Sequence, residues 1–136
     1  MTALIDTGFL LAVLDTDDDL HEACVAALEV EPEPILPDVV LPELAYMVQR
    51  EVGVTALAAF LKTVADGELT IGYITTEDIS RTAELIAQYA DNRVDFVDCA
   101  VVALAERLGI ETILTVDQRH FRTFRPKHCT AFTLAP

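Results

Sequence analysis

The chain has no tryptophan, one serine (Ser80), two lysines (Lys62 and Lys127) and no long uninterrupted apolar run. Each shortage removes a class of function. A lone serine inside a helical-looking segment, with no G-x-S-x-G turn, excludes a serine nucleophile. No stretch approaches the roughly 18 uncharged apolar residues that a bilayer span requires. Residues 1–6 carry no basic leader and reach an acid early, so no secretory signal is expected and a cytosolic location is. The three cysteines, Cys24, Cys99 and Cys129, have no Cys-x-x-Cys spacing and read as small buried hydrophobes in a reducing compartment. His21, His120 and His128 lie too far from these and from one another for a zinc pattern, and no ligand role is expected of them. A glycine-rich phosphate loop is also missing.

Positive charge is the other scarcity. Nine Lys and Arg face 23 Asp and Glu, for a net charge of −14. Such a surface does not attract polyanions as a whole. Four of the nine cations, Arg119, Arg122, Arg125 and Lys127, crowd into the stretch just after Asp117. They read either as a solvated loop or as a place to hold phosphates.

What the chain does have is a regular alternation of strand and helix signals over 136 residues, enough for one domain covering 1–136. Leu4-Ile5 opens a strand, and a helix follows through Phe9, Leu10, Val13 and Leu14. The acidic turn Asp15 to Asp19 leads to a helix at 20–29, and a strand forms at Ile35-Leu36. Helices are expected at 39–52, where Pro42 fits the first turn, and at 54–65. A strand at 69–74 precedes a helix at 76–89 with Ile79, Ala83, Ile86 and Ala90 on one face. Asp95 caps the next helix, which carries Val97, Val101, Leu104 and Leu108 and ends at Gly109. Strands at 110–116 and 129–134 complete an α/β fold: three layers around a mostly parallel sheet of four to five strands.

In such a sheet, strand ends and the starts of the returning helices share one edge. Four acids fall there. Asp6 and Asp117 end strands, and Glu43 and Asp98 sit just inside helix starts. Each has a structural alternative: Asp6 and Asp117 as N-caps, Asp98 as the reciprocal partner of Asp95 in a capping box, Glu43 on the helix dipole. Together they repel. Like charges about 4 Å apart cost about 1 kcal/mol in water and about 4 kcal/mol at an effective dielectric of 20. Helix dipoles return only about 0.3–1 kcal/mol each. A divalent cation reverses that balance, and an all-oxygen set favours Mg²⁺ or Mn²⁺. Asp15, Asp17 and Asp19 alternate like the start of a calcium loop, but Leu20 stands where the glycine is needed, so a solvated turn is expected.

Four segments carry a family resemblance: Leu4-Ile5-Asp6-Thr7, Leu41-Pro42-Glu43-Leu44-Ala45, Asp95-Phe96-Val97-Asp98-Cys99-Ala100, and Leu114-Thr115-Val116-Asp117-Gln118-Arg119-His120-Phe121. With this order and spacing the chain resembles PIN-domain ribonucleases, specifically the single-domain toxins of VapBC-type toxin–antitoxin pairs. The resemblance implies that Asp6, Glu43, Asp98 and Asp117 form an acidic metal site for Mg²⁺ or Mn²⁺, supported by Thr7 and Thr115. Asp95 is an extra acid nearby, favoured as an N-cap over a ligand. Gly8 departs from the pattern, since relatives commonly carry Ser or Asn there. The implied activity is hydrolysis of RNA phosphodiesters, with Arg119, Arg122 and Arg125 holding flanking phosphates. The implied partners are an RNA substrate, a small cognate antitoxin and a second copy of the chain in a homodimer, with no membrane.

Two other readings stand beside it. An acid-pocket phosphoryl-transfer protein needs a nearby lysine or an Asp-x-Asp after the first strand, and Asp6-Thr7-Gly8 breaks that pattern. A non-catalytic PIN fold that binds RNA or a partner fits the acidic surface, but an intact acid quartet argues against it. The absence of tryptophan points away from a base-stacking platform and towards recognition of RNA shape.

Overall fold

The computed structural model describes residues 2–136. Five short strands, β1 (Thr2–Ile5), β2 (Glu33–Pro37), β3 (Thr70–Gly72), β4 (Thr112–Leu114) and β5 (Thr133–Ala135), pair in the order β3-β2-β1-β4-β5. Every pairing is parallel, as the strand–helix alternation implies. Helices α1 (Thr7–Leu14) and α2 (His21–Glu29) connect β1 to β2, and α3 (Val40–Glu51) and α4 (Val54–Ala65) connect β2 to β3. Helices α5 (Thr76–Gln88) and α6 (Phe96–Leu108) return the chain to β4, and the short α7 (Gln118–Thr123) leads on towards β5. The chain thus walks outward from β1 to β3, then crosses back to β4 on the other side of β1. Right-handed crossovers place α1–α4 on one face and α5–α6 on the other. The packing agrees, with α1 against α2 and α3, α3 against α4, and α5 against α6. Strand direction of travel reverses between β1 and β4, so the crevice beyond their C-terminal ends is the place for a site. Asp6 follows β1 directly, and Thr115 to Asp117 follow β4.

Helix α6 shows how local signals and burial combine. Asp95 Oδ1 accepts from the Asp98 N–H at 2.8 Å, and Asp98 Oδ2 faces the Asp95 N–H at 3.5 Å. This is the capping box the sequence implies. Gly109 closes the helix in the left-handed region at φ 69°. Between these ends, Asp98 through Ala105 are all buried. The helix is therefore covered nearly all round, and the expected stripe of Val97, Val101, Leu104 and Leu108 is not its buried face, since Leu108 is exposed. A helix pressed between a sheet and α5 buries more than one stripe.

Other expectations shift for physical reasons. The apolar face Ile79, Ala83, Ile86 and Ala90 of α5 points to solvent, and Asp78, Thr82, Leu85 and Tyr89 face inward. The inward polar groups are satisfied. Arg107 Nε donates to both Asp78 carboxylate oxygens at 3.0 Å, and the Thr82 hydroxyl donates to Asp78 O. The strands expected at 69–74, 110–116 and 129–134 are cut to three residues each, because only those positions find ladder partners. The stretch after Asp117 is a helix rather than a loop. In the acidic turn, Asp15 and Asp18 accept from the N–H groups two residues on, and no side chain caps α2. Cys24 and Cys99 are fully buried and Cys129 partly so; all three are free thiols.

Candidate active site

Asp6, Glu43, Asp98 and Asp117 line one pocket of about 290 Å³, together with Thr7, Gly8, Met47, Asp95, Val116 and His120. The convergence expected from the sequence is the one observed. Asp6 is fixed by the sheet: its N–H donates to Leu114 O at 2.9 Å, tying the exit of β1 to that of β4. The Thr115 hydroxyl donates to Asp6 Oδ2 at 2.9 Å and accepts from the Asp117 N–H at 2.9 Å. One threonine thus sets the carboxylate of Asp6 and the backbone of Asp117. Asp6 and Asp117 occupy the N-cap positions of α1 and α7, yet neither side chain makes a capping bond. The N-cap role that the sequence allows is not taken up by either side chain. Asp98 does serve its capping box, and Glu43 sits exposed in the first turn of α3.

Thr7 lies in the pocket wall with a buried hydroxyl that has no hydrogen-bond partner among the described residues. Gly8 is where the backbone of α1 passes β4. A Cβ there would stand 2.8 Å from Val116 Cγ2, so any side chain at this position requires Val116 to move.

His120 is the residue that sequence reasoning missed. Its Nδ1 lies 2.9 Å from Asp117 Oδ2 and 3.2 Å from Asp98 Oδ2, so the imidazole spans the gap between α6 and α7. The available signal was its i+3 spacing from Asp117, which becomes a shared face only once α7 is known to be helical.

Charge in the pocket is largely uncompensated. The ion pairs of lysine and arginine among the described residues lie elsewhere, at Arg50–Glu51, Lys62–Asp66, Arg81–Glu84, Arg81–Glu106 and Arg107–Asp78. Asp6 is 6% exposed, and burial raises its carboxyl from 3.8 to about 6, with Asp117 and Glu43 adding to the rise and the Thr115 and Thr7 hydrogen bonds opposing it. Asp98 is 7% exposed and is pushed to about 7, by burial first and then by Asp95 and Asp6, while His120 pulls it down. Burial, then Asp98 and Asp95, raise the neighbouring Cys99 thiol to about 11, which leaves it inert.

The arginines are less free than their clustering suggests. Arg122 donates to Gln118 Oε1, and Arg125 donates to the carbonyls of Arg122 and Phe124, closing the C-terminal end of α7. Arg119 is exposed on α7.

The donor set suits a hard cation: carboxylates and a hydroxyl, with His120 the one imidazole and no thiolate. Among the described residues, however, no three His, Cys, Asp or Glu side chains stand close enough to share one ion directly.

Residues 3–125 match the sequence profile of the PIN domain. This chain belongs to the PIN-domain family. A PIN protein of Mycobacterium tuberculosis, Ribonuclease VapC26, is 34% identical over 134 residues, covering 98% of this chain and 99% of the relative. Two solved structures share the fold at lower identity. Mycobacterium tuberculosis VapC20, a toxin that cleaves the sarcin–ricin loop, superposes with TM-score 0.76 at 19% identity, over 83% of this chain and 87% of VapC20. VapBC2 of Rickettsia felis, solved on a DNA fragment from its promoter, gives TM-score 0.73 at 15% identity, with full coverage of both chains.

Proposed function

We propose that this PIN domain is a metal-dependent endoribonuclease and the toxin of a type II, VapBC-like toxin–antitoxin pair. The observation that carries the reading is the gathering of Asp6, Glu43, Asp98 and Asp117 in one pocket at the β1/β4 switch point without a lysine or arginine to neutralise them. The near full-length likeness to Ribonuclease VapC26 supports the substrate class and the toxin role.

Asp6, Asp98 and Asp117 would hold Mg²⁺ or Mn²⁺, directly or through water, with Glu43 beside them. When bound, the ion supplies a Lewis acid for the phosphate and a water of lowered pKa. The chain's own groups do the rest. Asp6 is locked by Thr115, so its carboxylate meets the substrate with little reorganisation. His120 holds Asp98 and Asp117 at a fixed separation. Glu43, exposed in the wall of the same pocket, would orient the water that attacks phosphorus. One phosphorus–oxygen bond forms to that water as one ester bond breaks, and the leaving oxygen takes a proton. Asp95 acts as an N-cap in this reading, and Arg119 and Arg122 hold flanking phosphates.

The partners are an RNA substrate, a cognate antitoxin and a second copy of the chain. The exposed apolar stripe Ile79, Ala83, Ile86 and Ala90 supports self-association. No helix among the described residues is long and apolar enough to cross a membrane.

Purified protein incubated with RNA in Mg²⁺ or Mn²⁺ should cleave it internally and stop with EDTA, and Asp98→Asn should lose the activity. Full cleavage by Asp98→Asn refutes the assignment. One observation favours a second reading, a non-catalytic RNA- or partner-binding PIN domain: the acids do not stand in a ready-made coordination group. A Mn²⁺-induced thermal shift with no cleavage of any RNA would select it.

A further inference from the structure

Next to the acid pocket, and sharing Glu43 with it, a cleft of about 470 Å³ opens between the N-terminal ends of α3 and α6. Its walls are Val39, Pro42, Phe96 and Val97, and its polar members are Asp38 and Glu43. Phe96 is the first residue of α6, adjacent to the capping Asp95, and is 47% exposed. An aromatic ring left half in water forgoes burial that the core offers elsewhere. It lies outside the cluster that holds the fold together.

We propose that this cleft is a nucleobase subsite, in which Phe96 stacks on a base of the strand whose phosphate sits in the acid pocket. The inference rests on the ribonuclease reading above and deepens it.

Three observations select a base as the occupant. The cleft and the acid pocket share Glu43 as a wall, and Phe96 follows the pocket residue Asp95 directly, so a nucleotide flanking the scissile phosphate lies within reach of it. No lysine or arginine lines it and two carboxylates do, which repels a phosphate but suits the apolar face of a base. Asp38 Oδ1 accepts from the Ile74 N–H at 3.2 Å, which orients its carboxylate and leaves Oδ2 as an acceptor for an exocyclic amino group. The whole-molecule charge makes the same demand from another side. At −14 the protein has little general attraction for RNA, so retention near the acids gains from contacts that are not ionic.

The test is made first on binding, independent of cleavage. In an Asp6→Asn background, a short single-stranded RNA of mixed sequence carrying a fluorescent purine analogue is titrated in Mg²⁺. The expected result is quenching of the analogue on binding, loss of that quenching in Phe96→Ala with affinity lower by on the order of 10-fold, and retention in Phe96→Trp. In the otherwise wild-type enzyme, Phe96→Ala should raise KM more than it lowers kcat. An abasic site beside the scissile bond should weaken binding to the protein with Phe96 but add nothing to the Phe96→Ala defect. Unaltered affinity and quenching in Phe96→Ala overturns the proposal. So does a loss that Phe96→Trp fails to restore, or a change in elution volume without a change in RNA binding, which would assign the cleft to a second copy of the chain. If the wild-type protein binds RNA through Phe96 but cuts none, the subsite stands and the nuclease reading alone falls.

Discussion

The acid pocket stores repulsion that a substitution can release. Asp6 is held in a site that lifts its carboxyl from 3.8 to about 6. Each pH unit corresponds to about 1.36 kcal/mol, so keeping Asp6 ionised above pH 6 costs the cation-free protein about 3 kcal/mol. Asp6→Asn removes that cost and keeps an oxygen to accept from Thr115. The raised value already includes the opposing Thr115 and Thr7 hydrogen bonds, so the net expectation is a gain of up to about 3 kcal/mol. An unfolding entropy of about 2.1 cal/mol/K per residue, over 136 residues, turns this into a rise in Tm of up to about 10 °C.

The pH dependence gives the sharper check. Asp6 has a raised folded-state value, so between about pH 4 and pH 6 the unfolded chain has lost its proton while the native state keeps it. Wild-type stability therefore falls as pH rises through that window, and the Asn variant skips this loss. Thermal unfolding followed by circular dichroism in EDTA should show the variant's advantage growing from near nothing at about pH 4 to its full size above about pH 6. A variant less stable than wild type near neutrality, or a pH-independent difference, would show that Asp6 is a structural group with a satisfied partner. The same variant should lose RNA cleavage, so stability and activity move in opposite directions.

Further expectations follow from the same geometry. Mg²⁺ or Mn²⁺ at about 100 times its dissociation constant should stabilise wild type by about 2.7 kcal/mol in a thermal-shift titration and stabilise Asp98→Asn far less; equal shifts in both proteins would place the ion elsewhere. His120→Ala removes the group between Asp98 and Asp117, and kcat should fall by about 10- to 100-fold, in line with about 1.5–3 kcal/mol for hydrogen bonds to charged groups; unchanged kcat would make His120 incidental. Asp95→Asn preserves a good N-cap and should leave metal affinity and Tm nearly unaltered, whereas Asp95→Ala should cost about 1 kcal/mol of stability. A collapse of metal affinity in Asp95→Asn would make Asp95 a ligand.

The acids were legible in the sequence because their positions are set by elements with strong local signals. Asp6 and Asp117 end β-branched and aliphatic runs, and Asp98 sits in a capping box that starts a helix whose stop is a glycine. In a parallel sheet those positions share one edge whatever the loop details. His120 was not legible for the opposite reason. Helix α7 is six residues long, has no side-chain cap, and depends on burying Phe121, with Phe124 buried just beyond its end. Only tertiary packing decides that such a segment is helical. The outward face of α5 was misleading because periodicity reports apolarity, not burial. There the buried side is won by Asp78 and Thr82, which Arg107 and backbone carbonyls satisfy. Phe96 escaped notice for a related reason: at the first position of a strongly apolar helix it looks like core, and its exposure beside Glu43 is visible only in three dimensions.

These features bear on how so acidic a protein can act on a polyanion. Outside the pocket, many of the cations are spent on the fold. Arg81 and Arg107 pin α5 to α6 through Glu106 and Asp78, and Arg125 closes α7. A cation in the pocket therefore does two tasks: it makes the carboxylates tolerable and supplies local positive charge for a phosphate. Binding should then depend less steeply on salt than for a protein with a basic groove, because few phosphates are neutralised by side chains. It should depend strongly on the divalent ion and on Phe96. Measuring the affinity of the Asp6→Asn protein for single-stranded RNA across monovalent salt separates the cases. A log–log slope of about −0.7 to −1.4 matches one or two arginine–phosphate contacts from α7, and a slope several times steeper would mean that RNA is held by a basic surface rather than by the acid pocket and its cleft.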